Sequence, residues 1–442
     1  MGCRRRRGCA GAHWRCTMTD PNRPPKPSSP RTGLLLTGGG ARAAYQVGVL
    51  EAIADLRLAC GAGKEPNPFP IVTGTSAGAI NAAALACGAD QFDRAVRRIA
   101  RVWSNFHAHH VYRADSISVM RSGARWLTLV SIGWALARWR RMRPQSLLDN
   151  KPLEKLLVKM VPLVRLPRLI RKGHLKALAV TASSYSSGEH VTFFESAEPV
   201  KPWVRSQRKA ARDRITHEHL LASSAIPFIF PATRLHHEGR GGWYGDGSMR
   251  QSSPLSPAIH LGARRLVVIG AGRMHQPADE AVDDARYPTL AQVAGHAMSS
   301  IFLDALAADI ERMQRINRTL EMLSPEQRTS HPLAPIDAII IAPSQRLDDI
   351  AARHVHRLPR PVQLLLRSTG VRHGQRQGAA LASHLLFERA YTQELIELGE
   401  QDGLAQREAL SLLLQPSEFT LARAQRRQAM AAGGMAGLAP SA

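Results

Sequence analysis

Gly74-Thr75-Ser76-Ala77-Gly78 sets a serine at the centre of a G-x-S-x-G pattern. Small residues on both sides let a strand turn into a helix within a few positions. Such a turn pushes the serine hydroxyl out at the helix N-terminus, where the dipole favours developing negative charge. An apolar strand pattern, Phe69 to Thr73, runs into it and an alanine-rich helix pattern, Ala79 to Ala86, runs out of it. That context suits a nucleophile; the plain alternative is a structural strand-to-helix turn. Gly38-Gly39-Gly40-Ala41-Arg42 ends another strand and opens another helix. Consecutive glycines let backbone N–H groups converge without Cβ obstruction, which makes a cradle for an anion, either a cofactor phosphate or the oxyanion of a tetrahedral intermediate. Read as Gly38-x-Gly40-x-x-Ala43, the loop also satisfies a dinucleotide fingerprint, which expects an acid at the end of the next strand about 20 residues on. That strand ends in Thr73-Gly74-Thr75-Ser76 instead, which disfavours a nucleotide.

A serine nucleophile needs a base. Tyr244-Gly245-Asp246-Gly247-Ser248 holds a carboxylate between glycines, where close backbone approach is possible, although an aspartate there is also an ordinary turn residue. Eighteen histidines are present and a Ser–Asp–His triad is the competing arrangement. None of His260, His275, His296 or His354 stands in a distinctive local setting.

Taken together and in this order, the glycine loop with Arg42, the Ser76 pentapeptide and Asp246-Gly247 resemble the three motifs of the patatin-like phospholipases. Ala222-Ser223-Ser224-Ala225-Ile226-Pro227-Phe228 resembles a further stretch that those proteins carry shortly before the aspartate. The resemblance covers about residues 32–260. It implies a three-layer α/β sandwich with a mainly parallel sheet and a calcium-independent serine acyl hydrolase acting on lipid esters. It also implies a Ser–Asp dyad without histidine: Ser76 as nucleophile, Asp246 as base, and Gly38, Gly39, Gly40 and Arg42 as the oxyanion hole, with no cofactor and no metal. The sequence departs from the family pattern twice. Ala43 replaces a third glycine but falls in the first helical turn. Ser248 replaces the Gly or Ala that follows Asp-Gly, and its hydroxyl is placed to compete for hydrogen bonds to Asp246.

The elements that must position these groups are legible as well. Gly33 to Leu36 reads as a buried strand, and Ala43 to Leu58 carries Val47, Leu50, Ile53, Ala54 and Leu56 at helical spacing. Leu175 to Thr181, Val191 to Phe194, Leu266 to Ile269 and Ile336 to Ile341 are further strand patterns; Thr216 to Ser224 and Ala291 to Leu320 are helical. Apolar strands alternating with helices predict a mainly parallel sheet covered on both faces. The organisation expected is a basic, Pro-rich tail (1–31), a patatin-like core (32–260) with a basic region at 126–214, a C-terminal α/β extension (261–415) and a flexible end (416–442).

The chain of 442 residues is 44% hydrophobic, enough for a sizeable core. Its 59 Lys and Arg against 35 Asp and Glu give a net charge of +24, which predicts attraction to an anionic partner. The excess is concentrated: residues 138–176 hold twelve basic side chains and two acids, and residues 201–214 hold six and one. Aromatic residues make up only 5%, which argues against stacking on single-stranded nucleic acid. Five cysteines, three of them in the first 16 residues, do not form a disulfide framework and suit a reducing compartment. No run approaches the roughly 18–20 apolar residues of a membrane span. Met1-Gly2-Cys3-Arg4-Arg5-Arg6-Arg7 lacks the apolar stretch of a secretory signal. Gly2 is placed for myristoylation, but Arg6 stands where that motif wants Ser or Thr, and Met18 is an alternative start.

Trp126 to Ala137, flanked by Arg125 and by Arg138, Arg140, Arg141 and Arg143, reads as an interfacial segment or as a buried core helix. His107, His109 and His110 lack the companions of a metal site, and His110 with Asp115 matches an acyltransferase spacing that nothing nearby supports. The expected partners are a lipid or phospholipid substrate and an anionic membrane surface, not nucleic acid, with a cytoplasmic location peripheral to the membrane. A non-catalytic lipid-binding or scaffold protein on the same fold, and a nucleotide-dependent enzyme, are the rival readings.

Overall fold

The computed structural model describes residues 31–113, 146–237, 239–273, 287, 289–368 and 379–414. Trp126 to Ala137, Asp115, His275 and both tails lie outside them. Among the described residues ten strands join into one sheet, and no helix is long and apolar enough to cross a membrane. The strands are β1 (Thr32–Leu36), β2 (Ile71–Thr75), β3 (Ala177–Ser184), β4 (His190–Ser196), β5 (Val204–Arg205), β6 (Arg208–Arg212), β7 (Thr233–His237), β8 (Arg240–Asp246), β9 (Arg265–Ile269) and β10 (Asp337–Ile341). The order β10-β9-β1-β2-β3 is parallel throughout. Beyond it β4 runs antiparallel to β3, and β6 and β5 complete that edge.

The inner strands β1, β2, β3 and β9 are buried on both faces because their side chains alternate between two cores, while β10 lies at the edge and is only partly covered. Leu34, Leu36, Val72, Leu178, Val180, Val267 and Ile269 belong to one; Leu35, Ile71, Ala177, Ala179, Leu266 and Val268 belong to the other. Three helices pack on the first face: α1 (Ala44–Ala59), α2 (Ala77–Ala86) and α3 (Phe92–Trp103). The second is covered by Ser256–His260 and by Leu306, Ile310 and Met313 of the long helix Leu290–Glu321. The result is a helix–sheet–helix sandwich with a mainly parallel mixed sheet. Residues beyond 260 are not peripheral to it: β9 sits between β1 and β10, next to the strand that leads into the glycine loop.

The sequence patterns locate β1–β4, β9 and β10, while β5–β8 carry little apolar alternation. Arg208–Arg212 and Arg240–Asp246 are rich in Arg, Lys and Gly and belong to the sheet through backbone pairing. One feature of that pairing brings Ser76 and Asp246 together. The first five residues of β3 pair with β2, from Ile71↔Ala177 to Thr75↔Thr181. Its last three pair with β8, from Ala182↔Asp246 to Ser184↔Tyr244. The opposite edge of β3 is already taken by β4, so β2 and β8 share one edge. They approach along it from opposite directions and meet with their C-terminal ends facing. Ser76 follows the last residue of β2, and Asp246 is the last residue of β8.

Candidate active site

Ser76 takes φ 56°, ψ −133°, on the left-handed side of backbone space that a residue with a Cβ rarely occupies. Such a conformation costs about 1–3 kcal/mol and persists only where the surroundings hold it. The Ser76 N–H donates to Ser223 Oγ at 2.9 Å, and that hydroxyl in turn donates a hydrogen bond to the Thr181 carbonyl at 2.6 Å. On the other side, Ala79 N–H donates to the Ser76 carbonyl at 2.9 Å, closing the first turn of α2. The turn is tight enough that a Cβ on Gly78 would lie 2.3 Å from the Thr37 carbonyl oxygen, so only glycine lets the end of β1 rest against α2.

Asp246 is fully buried, and its Oδ2 accepts the Ser76 hydroxyl at 2.5 Å. Oδ1 accepts the Ser248 N–H at 2.9 Å, so the contact Ser248 makes runs through its backbone amide. Burial pushes the carboxyl up to about 6, against the downward pull of the hydrogen bonds from Ser76 and Ser248. A group at that value is mainly ionised at neutral pH and takes up a proton far more readily than an exposed aspartate. The Asp246 N–H donates to the Ala225 carbonyl at 2.9 Å. Ala222–Phe228 therefore clamps both ends of the pair: Ser223 holds the serine backbone and Ala225 the aspartate backbone.

The glycine loop is braced from within the same core. Gln46 Nε2 donates to the Thr37 carbonyl at 2.7 Å; Asn81 Nδ2 reaches both Gln46 Oε1 and the Ala43 carbonyl at 3.2 Å; Trp103 Nε1 donates to Asn81 Oδ1 at 2.8 Å. Arg42, expected beside the oxyanion glycines, turns its guanidinium toward the C-terminal part of the chain. Its Nε donates to Ser383 Oγ at 2.7 Å, and Nη2 donates to Asp348 and to the Ala380 carbonyl.

Ser76 and Gly40 border a mostly apolar pocket. Ala77, Ile80 and Ala84 of α2, Ile99, Val102 and Trp103 of α3, Leu153, Leu156, Leu157 and Met160 of the helix Lys151–Met160, and Phe230 and Phe387 form its walls. The alanines of α2 leave the space that larger side chains would fill. Apolar walls around one polar end suit a hydrophobic chain carrying one reactive group.

Among the described residues no histidine hydrogen-bonds Ser76 or Asp246. His260 stacks on Trp203 with centroids 4.5 Å apart, His354 meets Glu394, and His296 is exposed. His107 pairs with Glu388 at 3.1 Å, and His109 and His110 lie on the one-turn helix Ala108–Val111. His217 reaches the Val161 carbonyl at 2.9 Å, while His219 is buried edge-on against Phe193. The motifs marked Ser76, Asp246 and the glycines; they gave no role to Ser223 or Ala225, although the stretch holding both was conspicuous. Nothing in the local sequence marked Asp348, Ser383 or His384.

Ser76 thus sits on a strained strand-to-helix elbow within a mainly parallel α/β sandwich. Residues 34–259 match the family model described as patatin-like phospholipase, and the chain belongs to that family. Among solved structures, the chain is similar to human GIVD cytosolic phospholipase A2, with 12% identity, 87% of this chain and 60% of that one covered, and a TM-score of 0.42. It is also similar to VipD from Legionella pneumophila, with 14% identity, 84% and 67% covered, and a TM-score of 0.31. The aligned region thus spans about 60% of the human enzyme's length. No curated protein matches the chain.

Proposed function

We propose that this protein is a serine acyl hydrolase that cleaves lipid ester bonds, phospholipids among them, through a Ser76–Asp246 dyad and an acyl-enzyme intermediate. The observation that carries the reading is the 2.5 Å hydrogen bond from Ser76 Oγ to a fully buried carboxylate, made at the end of an apolar cavity. In the first step Oγ attacks the acyl carbon and its proton passes to Asp246 Oδ2. Asp246 then protonates the departing alkoxide oxygen, leaving the acyl group on Ser76. A water molecule gives its proton to Asp246 as it attacks the acyl-enzyme; the fatty acid leaves and the proton returns to Ser76. Gly39 and Gly40 N–H groups supply the oxyanion hole, a donor there being worth about 3–4 kcal/mol.

The acyl chain occupies the cavity, where each methylene withdrawn from water contributes about 0.8 kcal/mol. Helix Lys151–Met160 forms one wall and turns Lys151, Lys155 and Lys159 outward, with Arg168, Arg171 and Lys172 exposed shortly after it. This supports docking at an anionic membrane surface, so that a lipid tail enters beside a basic face. Fluorophosphonate labelling with peptide mapping, together with ester turnover by Ser76→Ala and Asp246→Asn, tests the proposal. Label on the Ser76 peptide and loss of turnover in both variants are expected. Wild-type turnover in either variant would reject the dyad.

A further inference from the structure

The family match ends at residue 259, yet the glycine loop is held by residues far beyond it. The helix Ala379–Leu385 lies against the loop, and the two are locked by Arg42, whose guanidinium reaches Ser383, the Ala380 carbonyl and Asp348. Gly40, at φ +57°, is pressed so closely to this helix that a Cβ would stand 2.4 Å from the His384 carbonyl oxygen. The His384 ring faces the same loop, its Nδ1 lying 3.0 Å from the Gly39 carbonyl oxygen. We infer that His384 is a positioning residue for the oxyanion hole: its Nδ1–H fixes the Gly39 carbonyl and thereby aims the Gly40 N–H at the developing oxyanion. This rests on the reading of Ser76 as nucleophile.

The Gly39 carbonyl and the Gly40 N–H belong to one planar trans unit and point in opposite directions. Two donors hold that carbonyl: His384 Nδ1 and, at 3.2 Å, the Arg42 N–H. Anchoring it on the His384 side turns the Gly40 N–H away from that side, and Gly40 borders the cavity together with Ser76. A free glycine peptide could rotate; one tied at its oxygen presents its donor already oriented. Hydrogen bonding at the oxygen also polarises the unit and strengthens the N–H as a donor. A carbonyl only accepts, so Nδ1 must carry the proton, which defines the ring's tautomer. Complete burial, with the Arg42 charge adding to it, holds the ring well below the usual histidine range and keeps it neutral.

A residue that only packs would be replaced by shape; this role requires a donor at the Nδ1 position. Asparagine places its amide N–H there, glutamine places it near Nε2, and leucine has none. The test compares full-length His384→Asn, His384→Gln and His384→Leu with wild type and Ser76→Ala. It measures ester kcat and KM, the rate ratio of an ester to its thionoester (whose sulfur is a poor acceptor), and affinity for a fluorescent fatty acid. His384→Leu and His384→Gln should lose roughly ten- to a hundredfold in kcat. Their KM and fatty-acid affinity should be unchanged and their oxygen-over-sulfur preference reduced; His384→Asn should recover most of the loss. If the leucine variant does not fold, the Asn–Gln comparison carries the same decision. Wild-type kcat in His384→Gln, or equal losses in Asn and Gln accompanied by lost fatty-acid binding, overturns the inference while Ser76→Ala is inactive. Activity in Ser76→Ala overturns the nucleophile reading itself.

Discussion

Asp246→Asn separates what the buried carboxylate does for turnover from what it costs the fold. The side chain keeps its shape, its Oδ1 can still accept the Ser248 N–H, and its amide N–H can donate to Ser76 Oγ; only the charge and the proton-accepting role disappear. Burial raises the carboxyl from 3.8 to about 6, and each pKa unit corresponds to about 1.4 kcal/mol, so the ionised form burdens the native state by about 3 kcal/mol. The sign follows from proton linkage. The native state binds this proton more tightly than the unfolded chain, so the contribution to stability is fully present below pH 3.8 and is lost as pH rises through about 6. Asp246→Asn should therefore be more stable than wild type by about 3 kcal/mol at pH 8, with the advantage gone near pH 4. Denaturant titrations at both pH values, paired with ester assays, measure it. Turnover should vanish in the variant, and wild-type kcat/KM should fall with an acid limb near pH 6. A stability difference of the same size at both pH values, or a variant less stable at pH 8, would refute the assignment of a strained, ionised carboxylate.

Ser223→Ala removes the hydroxyl between the Ser76 N–H and the Thr181 carbonyl, leaving two buried groups unpaired; about 1–3 kcal/mol of stability should be lost, with slower turnover, by chemical denaturation and ester assay. Gly78→Ala brings a Cβ to 2.3 Å from the Thr37 oxygen, and forcing β1 from α2 should cost on the order of 1–3 kcal/mol and most of the activity. Ala84→Phe narrows the cavity; a chain-length series of esters should shift toward shorter acyl groups, with kcat/KM falling about fourfold per excluded methylene, the equivalent of about 0.8 kcal/mol.

The sequence determined what neighbouring residues settle between themselves. Alternating apolar side chains in Leu34–Leu36, Ile71–Val72 and Leu266–Ile269 can only be buried on two faces, so a covered parallel sheet was legible. The elbow at Ser76 was legible because its small flanking residues are a local steric demand within five positions. Strands β5–β8 were not, because backbone pairing with β3, with β4 and with one another, rather than an apolar pattern of their own, recruits them. The meeting of Ser76 with Asp246 depends on β3 being eight residues long beside a five-residue β2, leaving room on one edge for β8 to end against it. The family resemblance grouped Arg42 with the glycines of its loop. Its guanidinium instead finds Ser383 and Asp348, more than 300 positions away, once β9 and the later helices have closed around β1. Local stereochemistry is written in adjacent residues, but strand order and strand length decide which distant groups share a dry pocket, and only the folded chain fixes those.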